Sequence, residues 1–213
     1  MSDNIQVIDQ IYDFVRSNIL LGVYRGNERV SERVIGEHFG VSRTMVREAF
    51  YELKKNGWLH SESKSGTYVK LFDYGEIREC YEARMLMEAN ILMFAYPLMT
   101  DSDFVEMEQH CDVAEQGDDR QYIEEETKLH CTFMEKVNNR YLHVYFAAIN
   151  EGLLRANAHT EYISSRRAGN ISEWRMIIRY LRAKDPYRAS RMLEQHIMNS
   201  YHAFLEMKHT RDE

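Results

Sequence analysis

Residues 31–57, SERVIGEHFGVSRTMVREAFYELKKNG, decide the fold of the N-terminal part of the chain. They divide into two short helices around a tight turn. Gly40 occupies the turn, where the backbone needs a conformation that glycine adopts without a Cβ penalty. Ser42 stands where an N-cap belongs and opens the second helix. Along that helix Val46, Ala49, Phe50 and Leu53 recur at i, i+3, i+4 and i+7, which makes one buried stripe. Arg43, Thr44 and Arg47 fall on the opposite face. A short helix, a glycine turn and a second helix with an apolar back and an arginine-bearing front meet the requirements of a helix-turn-helix. One face packs on the domain, and the N-terminal part of the other enters a major groove.

The flanking chain extends this pattern. Ile8, Ile11, Tyr12, Val15 and Ile19 sit at helical spacing over residues 5–21, a first helix ended by Gly22. Residues 23–30 form a connector. After Gly57, the segments WLHSES and GTYVKLF read as two short strands joined at Ser63-Lys64-Ser65-Gly66, a hairpin wing with Lys64 at its tip.

Gly40-Val41-Ser42-Arg43-Thr44, then Val46-Arg47-Glu48-Ala49, then Asn56-Gly57-Trp58-Leu59 and Ser65-Gly66-Thr67-Tyr68-Val69 together resemble the winged-helix DNA-binding domain of GntR-family bacterial transcription regulators. Met45 departs from the pattern, since many relatives carry proline there. The resemblance implies DNA contacts from Arg33, Ser42, Arg43, Thr44, Arg47, Lys64 and Gly66. Arginine suits bidentate contact with guanine O6 and N7, and a wing lysine suits phosphate or the minor groove.

Charge is distributed to match. The net charge of the 213-residue chain is −7, yet residues 1–70 hold 10 Lys+Arg against 9 Asp+Glu, while the remainder holds 17 against 25. A near-neutral head on an acidic body must focus its basic groups locally. No apolar run approaches the roughly 20 residues that span a bilayer, and the polar, acidic N-terminus is unlike a secretory signal. Three cysteines without metal-finger spacing read as reduced and packed. The expected location is cytoplasmic, with no membrane partner.

From Glu76 onward the sequence predicts helices near 76–96, 101–117, 119–137, 140–163, 171–183 and 186–208. Breaks are expected at Pro97, Gly117, Asn138-Asn139 and Gly169-Asn170. Thr100 with Asp103 loosely resembles a capping box, and Asp185-Pro186 is a helix start with Asp as N-cap and Pro at the first helical position. The predicted fold is mainly α: a winged helix-turn-helix with a small β-wing over residues 5–72, and an all-α bundle of six or seven helices over 76–208.

This second domain resembles the FCD-type effector domain of the FadR branch of the same family. Arg84-Met-Leu-Met-Glu88, Glu126-Thr-Lys-Leu-His130, Asn139-Arg-Tyr-Leu142 and Asp185 through His196 carry the resemblance. Many such domains hold a divalent metal (zinc, nickel or manganese) with one Asp and three His. Here Glu126 takes the Asp position, and His130 and His196 match two histidines. Trp174 takes the position of the third and cannot ligate. Three outcomes stand open: a three-ligand site completed by water or an effector carboxylate, a fourth ligand from His159, or a metal-free polar pocket with Trp174 against the ligand. The alternative for His130 and His196 is a pair of hydrogen-bonded core histidines. Arg84 reads either as a bidentate clamp for an acidic effector or as an i, i+4 partner of Glu88. The candidate effector-binding set is therefore Arg84, Glu126, His130, His159, Trp174 and His196.

The resemblance implies a ligand-responsive regulator that binds a palindromic DNA operator as a homodimer, with a small organic acid as effector. Two other classes remain in play: a metal-dependent helical enzyme fused to a DNA-binding head, and a constitutive DNA-binding dimer with a vestigial pocket. No nucleophile motif or separate general base supports the enzyme.

Overall fold

A computed structural model describes residues 2–62, 65–71, 73–157 and 162–211. The chain divides into two compact units, a head drawn mainly from the residues up to Asp73 and a body drawn mainly from Tyr74 onward.

In the head, α1 (Ser2–Leu20) is followed by α2 (Glu32–Phe39), α3 (Arg43–Lys55), and the antiparallel strands β1 (Leu59–Glu62) and β2 (Gly66–Val69). Leu59 pairs with Val69 and Glu62 with Gly66, so the hairpin register brings Thr67 opposite Ser61. The predicted strands were longer; Trp58 precedes β1 as a buried residue, and Lys70 closes the hairpin by donating its N–H to the Trp58 carbonyl. Arg29 adds an isolated bridge to Tyr68.

The helix-turn-helix forms for the reasons its sequence carries. Ser31 caps α2, with its hydroxyl accepting from the Val34 N–H. Gly40 adopts φ +65° and its N–H returns to the Gly36 carbonyl, which ends α2 and turns the chain. Val46, Ala49, Phe50 and Leu53 are fully buried against Ile11, Val15 and Ile19 of α1, with Trp58 and Val69 closing the core. Asn56 just past α3 donates to the Tyr12 hydroxyl at 2.9 Å, tying α3 to α1.

The body holds α4 (Tyr74–Ala95), a 3-10 turn at Tyr96–Leu98, α5 (Asp101–Gln116), α6 (Asp119–Lys136), α7 (Arg140–Asn157), α8 (Tyr162–Arg182) and α9 (Pro186–Arg211). Helix α9 packs along α8 and α4, α5 packs on α6 and α8, and α6 lies against α4 and α8. The core includes Leu92, Met107, Phe133, Trp174, Ile177, Leu193 and Ile197. The start signals act as read. Thr100 and Asp103 form the capping box, and Asp185 accepts from the Arg188 N–H at 3.1 Å. Asn139 caps α7 by accepting from Tyr141 and Leu142.

One expected break is absent. Helix α8 runs without interruption through Gly169 and Asn170. A glycine inside a helix costs only about 1 kcal/mol relative to alanine. Asn170 is buried, donates to the Tyr122 hydroxyl at 2.6 Å and accepts from Ser200, so tertiary bonds hold it in the helix. Of the expected helix over 140–163, α7 covers Arg140–Asn157, residues 158–161 lie outside the described residues, and Tyr162 belongs to α8. None of the three cysteines is in a disulfide.

Candidate functional site

On the head, every arginine expected to reach DNA is solvent-exposed. Ser42 takes the N-cap position of α3 with extended backbone, but its hydroxyl makes no capping bond, which leaves the hydroxyl free at the helix N-terminus. Arg43, Thr44 and Arg47 line the outer face of the first turns of α3. Arg47 Nε donates to Glu32 Oε2 at 3.0 Å, and Arg33 Nη1 grips both oxygens of Glu37 at 2.7 and 2.9 Å. A cleft of about 280 Å³ lies among Arg29, Arg33, Arg43 and Gly66. Gly66 has φ +135°, and a Cβ there would lie 2.9 Å from Arg29 Nε. The guanidinium of Arg29 thus lies against the backbone of the wing, at a position where only glycine leaves room. Arg29 is an arginine the sequence reading missed, because its closeness to the wing depends on the strand pairing. Lys64 lies outside the described residues.

In the body, four helices bring one polar cluster into the core. Helix α4 supplies Arg84 and Glu88, α6 supplies Glu126 and His130, α8 supplies Glu173 and Trp174, and α9 supplies His196. Arg84, Glu88, His130, Trp174 and His196 are each at most 5 % exposed. Spacing of four residues puts Arg84 above Glu88 and Glu126 above His130 on their helices.

The bonds order the cluster. His130 Nδ1 lies 2.6 Å from Glu88 Oε2, and His196 Nδ1 lies 2.8 Å from Glu173 Oε2. A carboxylate can only accept, so each imidazole donates from Nδ1 and turns its Nε2 lone pair inward. The inward atoms meet. His130 Nε2 is 3.2 Å from Glu126 Oε1 and 3.3 Å from His196 Nε2, and His196 Nε2 is 3.7 Å from Glu126 Oε1. Arg84 Nε donates to Glu88 Oε1 at 2.5 Å, and its Nη2 lies 2.7 Å from His130 Nε2.

Burial pushes the Glu126 carboxyl up, but His130, His196 and Arg84 outweigh it and hold the pKa well below the usual carboxylate range. Burial acts the same way on Glu88, and Arg84 and His130 override it to bring the pKa to about 2. Burial also opposes ionisation of Glu173, which His196, Arg166 and Asn199 nevertheless lower to about 2. For His130, burial and Arg84 favour the neutral ring, but Glu88 and Glu126 outweigh them and the pKa is raised. The guanidinium N–H at 2.7 Å needs a lone pair on Nε2, so the Nδ1–H tautomer satisfies Glu88 and Arg84, while Nε2 faces Glu126 and His196 with no proton to share.

Three lone-pair atoms at these separations fit a divalent ion. With bonds of about 2.0–2.1 Å in tetrahedral geometry, ligand atoms lie about 3.3–3.4 Å apart. Among the described residues, Glu126, His130 and His196 form a cluster able to hold a metal ion. Trp174 stands beside it without donating a lone pair. Its ring packs edge-on against His130 at 4.7 Å and against His196 at 5.2 Å, and its Nε1–H is buried with no partner among the described residues. His159 lies outside the described residues. Sequence reading missed the roles of Glu88 and Glu173. Glu88 read as a surface partner of Arg84, and Glu173 carried no signal, because its bond to His196 is made across two helices.

The same two units appear in family comparisons. Residues 7–69 match the bacterial regulatory proteins of the gntR family, and residues 79–199 match the FCD domain. The chain belongs to the gntR family, in its FCD-domain branch. An HTH-type transcriptional regulator from Bacillus subtilis, YdhC, is 24 % identical over 211 residues, covering 96 % of this chain and 92 % of its own length. The Exu regulon transcriptional regulator of Escherichia coli is 27 % identical over 222 residues, covering 92 % and 83 %. Among solved structures, a GntR transcriptional regulator from Rhodococcus sp. RHA1 superposes with a TM-score of 0.82 at 18 % identity, covering 94 % of this chain and 98 % of that one. E. coli McbR/YncC follows at 0.79. The matches are transcription regulators, and this gntR-family chain is a DNA-binding regulator rather than an enzyme. No helix among the described residues is long and apolar enough to cross a membrane.

Proposed function

We propose that this gntR-family regulator is a homodimeric repressor in the cytoplasm. Its paired recognition helices read a short palindromic operator, and its DNA affinity answers to a small organic acid taken up in the FCD body. A two-fold dimer matches an operator with the same symmetry. The base-reading bets are Arg33, Arg43, Thr44 and Arg47. Ser42 and the wing at Lys64 and Gly66 take phosphate, and Arg29 joins them from the cleft beside Gly66. A repressor role agrees with the printed name of one relative, the HTH-type transcriptional repressor RspR of E. coli, 30 % identical over 104 residues.

The effector site is the cluster of Arg84, Glu126, His130, Trp174 and His196, with one divalent ion (zinc, nickel or manganese) held by Glu126, His130 and His196. The observation that carries this reading is the triangle of Oε1 and two Nε2 atoms at 3.2, 3.3 and 3.7 Å, with both Nδ1 atoms already engaged by carboxylates. Core histidines would satisfy one another and Glu126 through a proton on one Nε2; the Arg84 N–H, 2.7 Å from His130 Nε2, favours a lone pair there instead. A bound ion supplies positive charge and an open position for a carboxylate. Glu88 and Glu173 fix the two rings, Arg84 offers N–H groups to an acid, and the buried Trp174 Nε1–H offers a further donor.

Two measurements test the reading. Metal analysis of tag-free protein should find zinc, nickel or manganese that the His196→Ala variant lacks; equal content in both would remove the site. Arg43→Ala should weaken binding to a duplex isolated by in vitro selection by about fivefold or more, from the roughly 1–3 kcal/mol of a base-reading arginine. An unchanged titration would remove the recognition-helix assignment.

A further inference from the structure

Arg84 holds a position that the metal reading alone does not explain. The in-plane lone pair of an imidazole nitrogen serves one partner at a time. With Nδ1–H donated to Glu88, the single lone pair of His130 sits on Nε2, and Arg84 Nη2 takes it at 2.7 Å. The same lone pair is one corner of the triangle that faces His196 and Glu126. The guanidinium is anchored by its Nε bond to Glu88 and covered by the Tyr81 ring, 5.8 Å from its central carbon. It is therefore a built-in cation placed on a metal ligand.

We propose that Arg84 competes with the divalent ion for the Nε2 lone pair of His130, so that the ion is held only when this guanidinium turns away, and the N–H so released receives the acidic effector. The proposal rests on the metal reading given above. Charge supports it. With neutral imidazoles, Arg84 and Arg166 carry two positive charges and Glu88, Glu126 and Glu173 three negative ones in and beside the cluster. A divalent ion turns that net of about −1 into about +1, an excess that buried surroundings penalise and an anion relieves. The guanidinium is a rigid fork, so Arg84 moves as a whole to clear Nε2, and with five N–H donors it can meet Glu88 again through a different one. The device makes ion and acid bind together: each is disfavoured alone, and each removes the obstacle to the other.

The test titrates tag-free, metal-stripped full-length protein with Co²⁺ and follows its visible absorption, which reports coordination directly. Wild type is compared with Arg84→Met and with the double variant Arg84→Met/Glu88→Gln. The double variant removes a positive and a negative charge together, so the pocket keeps its net charge, and the glutamine oxygen still accepts from His130 Nδ1. Both variants should bind Co²⁺ at least tenfold more tightly than wild type, and His130→Ala should abolish the absorption in each. Equal or weaker binding by a folded double variant overturns the role of Arg84 while leaving the metal site standing. No uptake by any of the three proteins overturns the metal site as well. Should the variants fail to fold, the wild-type guanidinium ¹⁵N spectrum decides: Zn²⁺ should shift one solvent-protected arginine set, and an unchanged spectrum overturns the proposal.

Discussion

The head carries its own competitors for DNA. Arg33 is held by both oxygens of Glu37, and the two side chains are each 62 % exposed. In the proposed DNA contact, Arg33 leaves that pair. An exposed i, i+4 pair is worth about 0.3–0.5 kcal/mol, and the Arg-before-Glu order puts this one at the low end. Glu37 also brings a negative charge toward phosphates; at about 8 Å in water the unscreened repulsion is about 0.5 kcal/mol, roughly halved or more by physiological salt. Glu37→Gln therefore gains about 0.5 kcal/mol per head, or about 1 kcal/mol in the proposed dimer, which corresponds to roughly fivefold tighter binding. Fluorescence anisotropy with a duplex isolated by in vitro selection measures this, at low salt first, where the gain should be largest. The gain should shrink in the Arg33→Ala background, since half of it comes from releasing that arginine. Weaker binding by Glu37→Gln would contradict this and make Glu37 itself a contact, for instance an acceptor for cytosine N4. A full gain retained without Arg33 would place the effect elsewhere.

Other expectations follow from single contacts. Gly66→Ala places a Cβ 2.9 Å from Arg29 Nε at φ +135°, so the head should lose about 1–3 kcal/mol of stability in a thermal melt, together with DNA affinity as Arg29 is displaced. Leu53→Ala empties a fully buried position beneath the recognition helix and should cost about 2–5 kcal/mol in chemical denaturation. Burial pushes the Asp103 carboxyl up, but Lys136 at 2.7 Å and the Thr100 N–H at 2.7 Å outweigh it, so its folded pKa is lowered. Its stabilisation is therefore fully present above the unfolded value of about 3.9 and is lost as pH falls through the lower folded value. Asp103→Asn should lower the melting temperature at neutral pH and flatten that acid-side slope; an unchanged slope would show that the carboxylate contributes nothing.

The parts of this fold that were legible in the sequence are those set by local chemistry. The stripe of Val46, Ala49, Phe50 and Leu53 has one period and one face, and Gly40 and Asp185-Pro186 act through their own backbones. Gly169-Asn170 misled because the local preference of two helix-weak residues was overridden by Tyr122 and Ser200, which arrive from α6 and α9. The site followed the same rule. Glu126 and His130 were legible as one face of one helix. Glu88 looked like half of an exposed pair, and burial together with His130 gives it a different role. Glu173 became visible only once α8 and α9 were side by side.

Acid taken up on the ion at the Glu126–His130–His196 cluster is proposed to set the DNA affinity of the head. The deciding quantity is the dissociation constant for the selected duplex, measured with Zn²⁺ and a panel of small organic acids and again with a chelator, for wild type and His196→Ala. Coupling of the usual size, about 1–3 kcal/mol, changes the wild-type constant by about fivefold or more and leaves the variant indifferent to the metal. A wild-type constant that is the same in both conditions would contradict the claim and leave the cluster as a structural element of the body.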